Sequence, residues 1–397
     1  MKITGLRTFH ADGGWRPFGF LKITTDADIT GWAEFTESPR NRGLSAVLAS
    51  LESRLIGEDP RAFGKISTTL FHALRLAGGG INTQAIAAIE NACIDIAAKA
   101  ANVPVYALFG GAYRTAVPLY WSHCGNFRIR HAHFFDAMGT TPKLTGLDSF
   151  RDIGREVRAK GYNAAKTNPV VFAEGAAPRT VNPGFIAQGM DYGWKVPAEE
   201  LKAIEGQLGA MREGLGSDAA LMMDINFGYR PEALRRVTHV TEQFDLEWLE
   251  IDLHEPEALA MVRRDTRTPI ASYETLFGRR ALLPFLQARA ADIGIIDVLW
   301  NGFAESLKMA ALAETYDVNI APHNGNGPLS DLMAAHFAAA YPNFHIMEID
   351  VDDVPWKDAL LTTPRRIEGG SMHLSDAPGW GADINEATVE AHPWKGA

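Results

Sequence analysis

The chain has 397 residues, 46% hydrophobic and 22% charged, which is the apolar content of a globular protein with one large core or two ordinary ones. A formal net charge of −10 argues against a general affinity for nucleic acid or anionic lipid, and two cysteines, Cys93 and Cys124, imply no disulfide framework. The opening "MKITGLRTFHADGG" lacks an apolar stretch of signal-peptide length, and no long apolar run follows, so a cytoplasmic protein with no membrane partner is expected.

In chain order, "MKITGLRTFH" and "FGFLKITTDADITGWAEF" alternate apolar and polar residues around the turn signal "DAD", which predicts a β-hairpin or meander. "GLSAVLASLESRLIGEDP" and "INTQAIAAIENACIDIAAKAANVP" then carry helix-period apolar faces and end in Gly or Pro. From residue 116 a rhythm begins. Eight short apolar runs each lead toward a polar residue: "VPLYWSH", "YNAAKTN", "ALMMDIN", "LEWLEID", "PIASYE", "IGIID", "VNIAPH" and "FHIMEI". Helix-period segments such as "PEALRRVTHVTEQF" and "FAESLKMAALAETYD" lie between the later ones. Strand, loop and helix in repetition predict an α/β fold, a (β/α)8-type TIM-like barrel over residues 116–353. It follows an N-terminal α+β domain over 1–115. The eighth helix is poorly marked, and the segment 354–397, rich in strand and turn residues, is expected to pack back on the N-terminal domain. Two long connections, 124–146 and 169–197, read as lids or binding elements.

The strand ends carry the chemistry. Asp224, Glu250, Glu274, Asp297, His323 and Glu348 succeed one another at intervals of 26, 24, 23, 26 and 25 residues, one βα unit each time. Residues recurring once per unit at strand C-termini converge on the barrel mouth. Asp224, Glu250 and Glu274 cannot share a pocket in ionised form without a cation, and an all-oxygen set favours Mg²⁺. Asp297 beside His323 is the pairing that fixes an imidazole's tautomer for acid–base work. Lys166 ends the second run, across the mouth, and Asn168 faces the same way two residues on. Asn168, Asn226 and Glu348 are expected to touch substrate. So are Arg128 in the first long loop and Trp15 and Arg16 in the glycine-rich "GGWRPFG" loop, which has the makings of a cap closing over the site. His131 and His133 share that first loop without a nearby carboxylate or cysteine, and they read as packing rather than as a second metal site.

These motifs resemble the mandelate racemase branch of the enolase superfamily over nearly the whole chain. "FLKITTDADITGWAE" is similar to the family's capping-domain hairpin and "AIAAIENACIDIAAKAANVPVYALFGG" to its helix leading into the barrel. "PGWGADIN" is similar to its C-terminal turn. "MMDIN", "EWLEI" and "SYE" match its metal-ligand motifs, and "IIDVLWNGFAES" with "APHNGNGP" match its Asp–His dyad. The details lean toward acid-sugar dehydratases, most of all galactonate-dehydratase-like members.

The resemblance implies a Mg²⁺-dependent lyase that removes the proton next to a carboxylate and expels the 3-hydroxyl of an aldonate or aldarate, giving a 2-keto-3-deoxy acid. Lys166 and His323 would be the acid–base pair, Asp297 would orient His323, and the enzyme would be a homo-oligomer. A Lys or His base working with Mg²⁺ on an ene-diolate is the general pattern of such sites. Two departures stand out. Galactonate dehydratases carry a histidine two residues after the first metal ligand, where this chain has Asn226. The usual paired glutamates after the fourth strand are replaced by "LEIDLHEP", in which Asp252 or Glu255 is placed to adjust the local hydrogen bonding. A racemase or epimerase of a hydroxy acid, on the same residues, and a catalytically silent binding protein with this fold are the rival readings.

Overall fold

The computed structural model describes residues 1–38, 41–139, 141–181 and 195–396. Three antiparallel strands open the chain: β1 (Ile3–Asp12), β2 (Pro17–Thr25) and β3 (Thr30–Phe35), in the order β1-β2-β3. Three helices follow, α1 (Leu44–Leu55), α2 (Phe63–Ala73) and α3 (Gly80–Ala101). α1 buries Leu44, Leu48, Leu51 and Leu55, a single stripe at helical spacing. α3 is alanine-rich and buried along nearly its whole length, which allows close approach. Gly31 on β3 lies so near the Ala92 carbonyl and the Ile96 side chain that a Cβ there would have no room.

Eight parallel strands form the barrel: Ala116–Ser122, Ala164–Thr167, Ala220–Asp224, Trp248–Glu250, Ile270–Ser272, Ile293–Ile296, Asn319–Pro322 and Met347–Asp350. They pair in sequence order, and the eighth pairs with the first from Met347↔Leu119 to Asp350↔Ser122. The seventh meets the eighth unit through Ile320 N→Asn343 O (2.7 Å) and His345 N→Ile320 O (2.8 Å), so the sheet closes and leaves no free edge. Tyr120, Ala164, Met222, Trp248, Ala271, Ile293, Ile295 and Ala321 fill the interior as a separate core, with Ile346 packed against it. The eighth strand is followed first by a 3₁₀ turn, Asp358–Leu360, and the next α-helix is the short Glu386–Ala391.

The tail divides its contacts. Ser371–His373 pairs antiparallel with the start of the first barrel strand, at Ala116 to Pro118. Trp380 bonds through Nε1 to the Trp32 carbonyl, and its backbone N–H bonds to buried Asp95 of α3. Ala11 bridges to Pro393. The return to the N-terminal domain therefore belongs to the last part of the segment, while its first hairpin extends the barrel. The first long connection is more ordered than a loop, with short helices at Asn126–Arg130 and Ala132–Met138. In the second, Val170–Val171 pairs with Arg179–Thr180, and residues 182–194 lie outside the described ones. Among the described residues no helix is long and apolar enough to cross a membrane.

Candidate active site

Strand parity builds the site. Side chains of a strand alternate faces, so a residue two beyond an interior one also points inward. Lys166 follows Ala164, Asp224 follows Met222 and Glu250 follows Trp248 by that step; Asp297 follows Ile295, His323 follows Ala321 and Glu348 follows Ile346. The fifth strand breaks the rule. Counting from Ala271 puts Tyr273 inward, yet Glu274 stands in the bowl, 3.4 Å from His323 Nε2. Tyr273 adopts φ 94, a left-handed conformation that shifts the parity by one residue. Such a conformation costs a non-glycine residue roughly 1–3 kcal/mol. Asp252 braces it, accepting bonds from Ser272 Oγ (2.6 Å), Tyr273 N (2.8 Å) and Thr275 N (3.1 Å). Bonds to a charged acceptor are worth about 1.5–3 kcal/mol each, enough to offset the strain.

Asp297 Oδ2 lies 2.6 Å from His323 Nδ1, and Asp297 Oδ1 accepts from Leu299 N and Trp300 N, so the carboxylate is fully buried and oriented. Burial opposes charge on His323, but Glu274, the bond to Asp297 and Glu348 together hold the imidazole well above its ordinary pKa. Lys166 Nζ binds Glu250 Oε2 at 2.7 Å and Glu348 Oε1 at 3.0 Å; burial is again opposed, and these carboxylates hold the ammonium well above its usual range. Glu348 stands between the two cations. Its Oε1 accepts from Ser122 and Lys166, and its Oε2 accepts from Asn324 N (2.9 Å) and lies 3.9 Å from His323 Nε2. Burial would raise its pKa, but Lys166 and His323 hold it well below the carboxylate range.

Asp224 accepts bonds from Asn168 Nδ2 (3.1 Å) and from the backbone N–H (2.7 Å) and Nδ2 (3.0 Å) of Asn226, so both asparagines orient a carboxylate at the mouth. Asn226 reaches it from a left-handed φ of 58, a conformation asparagine tolerates better than most residues. Glu250 Oε1 is buried and has no hydrogen-bond partner among the described residues, while burial and the field of Asp224 and Glu348, opposed by Lys166, raise its pKa. Burial lifts Glu274 to about 8, with Asp252, Glu250 and Asp224 adding to it and His323 opposing. An unsatisfied buried oxygen beside mutually repelling carboxylates is a donor set that a hard divalent cation fits. Among the described residues no three acidic or imidazole groups close to ligand distances of one another; the fit rests on donor chemistry and that orphaned oxygen.

Three other residues expected at substrate are each engaged within the protein. Arg128, expected to reach substrate, is buried and fully engaged: Asp352 takes its Nε (3.0 Å) and Nη2 (2.7 Å), and Glu156 takes Nη1 (2.7 Å). These two carboxylates neutralise it. Trp15 lies in an aromatic cluster, stacked on His131 (4.9 Å, 12°) and tilted against Phe127 (5.0 Å). It ties the capping loop to the first barrel loop. Arg16 Nη2 reaches Asp350 (3.2 Å) and Asp353 (3.0 Å), at the rim of the eighth strand.

One group was not foreseen. His123 Nδ1 lies 2.8 Å from Asp350 Oδ1, a second imidazole–carboxylate pair. A Cβ at Gly325 would lie 3.6 Å from His123 Cε1 and 4.0 Å from His323 Nε2, so both imidazoles border one space. The signal was present, since "VPLYWSH" ends on His123 as the other runs end on their polar residues.

Comparison with known proteins agrees with this architecture. The model of the mandelate racemase / muconate lactonizing enzyme N-terminal domain matches residues 12–110, and the enolase C-terminal domain-like model matches 149–388. D-xylonate dehydratase of Haloferax volcanii is 26% identical over 100% of this chain and 90% of its own length, and D-galactonate dehydratase of Ralstonia pickettii is 29% identical over 100% and 96%. A solved structure from Burkholderia xenovorans, provisionally named an L-alanine-DL-glutamate epimerase and bound to magnesium and fumarate, is 40% identical with a TM-score of 0.94, covering 99% of this chain and 96% of that one. The chain belongs to the mandelate racemase/muconate lactonizing enzyme family of the enolase superfamily.

Proposed function

We propose that the protein is a Mg²⁺-dependent dehydratase of acid sugars, aldonates or aldarates, yielding a 2-keto-3-deoxy acid. The observation that carries this reading is the placement of Lys166 and the Asp297-held His323 on either side of Glu348, at the mouth that also carries Asp224, Glu250 and Glu274. Those three carboxylates would hold Mg²⁺, which supplies Lewis-acid neutralisation of a substrate carboxylate. One of Lys166 and His323 takes the proton from C2. The C3–O bond then breaks, the leaving hydroxyl departs as water with a proton from the other group, and the enol tautomerises to the ketone. The configuration at C2 decides which group is the base. Dehydratase names among relatives that span the whole chain support the reading.

The epimerase name of the 40% identical structure supports a second reading, in which the same pair inverts C2 without loss of water. Turnover of a panel of aldonic and aldaric acids with Mg²⁺ in D₂O separates the two. A 2-keto-3-deoxy product from any member supports dehydration. Deuterium incorporation with inversion and no keto acid overturns it in favour of epimerisation.

A further inference from the structure

We infer that the N-terminal domain sets the geometry of the Asp297–His323 pair through two buried glutamates, Glu34 and Glu90, each a positioning residue for one half of that pair. Glu34 lies on β3, Glu90 on α3, and they are 1% and 5% exposed. Glu34 accepts bonds from the backbone N–H groups of Gly327 (2.5 Å), Leu329 (3.1 Å) and Ser330 (2.9 Å), at the start of the helix Pro328–Ala339 that follows His323. Glu90 accepts from Ala304 N (3.1 Å) and Ser67 Oγ (3.0 Å), at the start of the helix Phe303–Glu314, which comes after the short helix Val298–Asn301 that Asp297 caps.

Each carboxylate is seated on a glycine. A Cβ at Gly327 would come within 2.6 Å of Glu34, and one at Gly302 would collide with Glu90. Their carboxyl oxygens take N–H groups that the first turns of two helices would otherwise leave unpaired. Neighbouring residues tighten both grips. Asn91 bonds Val298 O and Phe303 N, spanning the turn just past Asp297. Ser330 Oγ bonds Asn324 Oδ1, and Asn324 N bonds Glu348, which also holds Lys166. A loop carrying half of a dyad is therefore pinned from the other domain on each side. Misplacing such a group by about 1 Å costs on the order of 100-fold in rate.

The test uses the full chain labelled with nitrogen-15 histidine, as wild type and as Glu34→Gln, Glu90→Gln and Gly327→Ala. Gly327→Ala keeps the glutamate but displaces it, which guards against a glutamine variant that fails to fold. The proton on His323 Nδ1, assigned by its loss in His323→Asn, reports the dyad directly and needs no turnover. In folded variants it should shift or broaden, and kcat should fall about tenfold or more while KM changes less than about threefold. An unmoved resonance, or a kcat within twofold of wild type, overturns the inference. If wild type dehydrates and epimerises nothing, the substrate reading fails and the resonance alone decides this one.

Discussion

At the N-terminal end of the barrel Arg263 forks onto Asp292 at 2.5 and 2.8 Å, and His345 meets Glu247 at 2.6 Å. These pairs are partly exposed and line a cavity of about 490 Å³ with Arg264, Arg267 and Asn319. At the other end of the same strands the charges are buried and shared. Glu348 alone serves Ser122, Lys166 and Asn324, and Glu250 keeps one oxygen with no partner among the described residues. A barrel thus carries charge at both rims, and sharing and burial mark the rim proposed to do the chemistry. One-to-one pairs in contact with water contribute about 0–1 kcal/mol, whereas removing one member of a buried pair costs about 3–5 kcal/mol.

The largest expected effects fall on the dyad. His323→Asn and Asp297→Asn should each lower kcat by about a thousandfold, within the range that general acid–base catalysis supplies, while leaving Mg²⁺ affinity within about threefold. Steady-state kinetics with metal titration calorimetry measures both. A residual rate near wild type would place the chemistry elsewhere. Asp252→Asn comes next, because Asp252 braces the left-handed turn that carries Glu274 into the bowl. Calorimetry should show Mg²⁺ binding weakened by roughly 10–100-fold, the usual cost of losing a group that orients a ligand. Unchanged affinity would mean that the turn holds itself.

A smaller effect is expected in the pH dependence of stability. Burial lifts Glu34 and Glu90 to about 7, above the roughly 4.3 of a free glutamate. The folded state therefore holds these protons more tightly than the unfolded one. Their stabilising contribution is full below about pH 4 and is lost as pH rises through 7. Chemical denaturation at pH 5 and pH 8 should show wild type losing about 1–3 kcal/mol more than Glu34→Gln over that interval. Equal losses would refute the shift.

How much of this was legible in the sequence follows from what repeats. Asp224, Glu250, Asp297, His323 and Glu348 recur once per unit and obey strand parity, so their spacing alone brought them to one rim. Glu274 was found by the same spacing, though its inward direction depends on the φ of Tyr273, which no periodicity encodes. The pairing of Arg128 was not legible because its partner Asp352 lies 224 residues away, and a loop arginine looks free until the fold brings its carboxylates to it. Glu34 and Glu90 passed unnoticed inside "GWAEF" and "AIENAC", where a single acid in an apolar run carries no sign of the helix end it meets. α2 was missed since it buries only Ile66 and Leu70, too thin a stripe to stand out.

The smallest effect expected is at the opposite rim, and it is the one that most sharpens the contrast. Arg263→Ala removes a bidentate contact to Asp292 and a bond to the Arg289 carbonyl, but both charged side chains are about one-third exposed. Water can replace each lost bond, so the variant should cost no more than about 1 kcal/mol and leave kcat and KM within twofold. Asp292 also receives the Ile270 N–H through its other oxygen, at the foot of the fifth strand, and Arg263→Ala leaves that bond intact. Asp292→Ala would remove both contacts and should cost more, so the difference between the two variants isolates the strand contact from the ion pair. A large loss of activity in Arg263→Ala, measured on protein shown to be folded, would mean that the two rims communicate through the strands and that burial alone does not separate them.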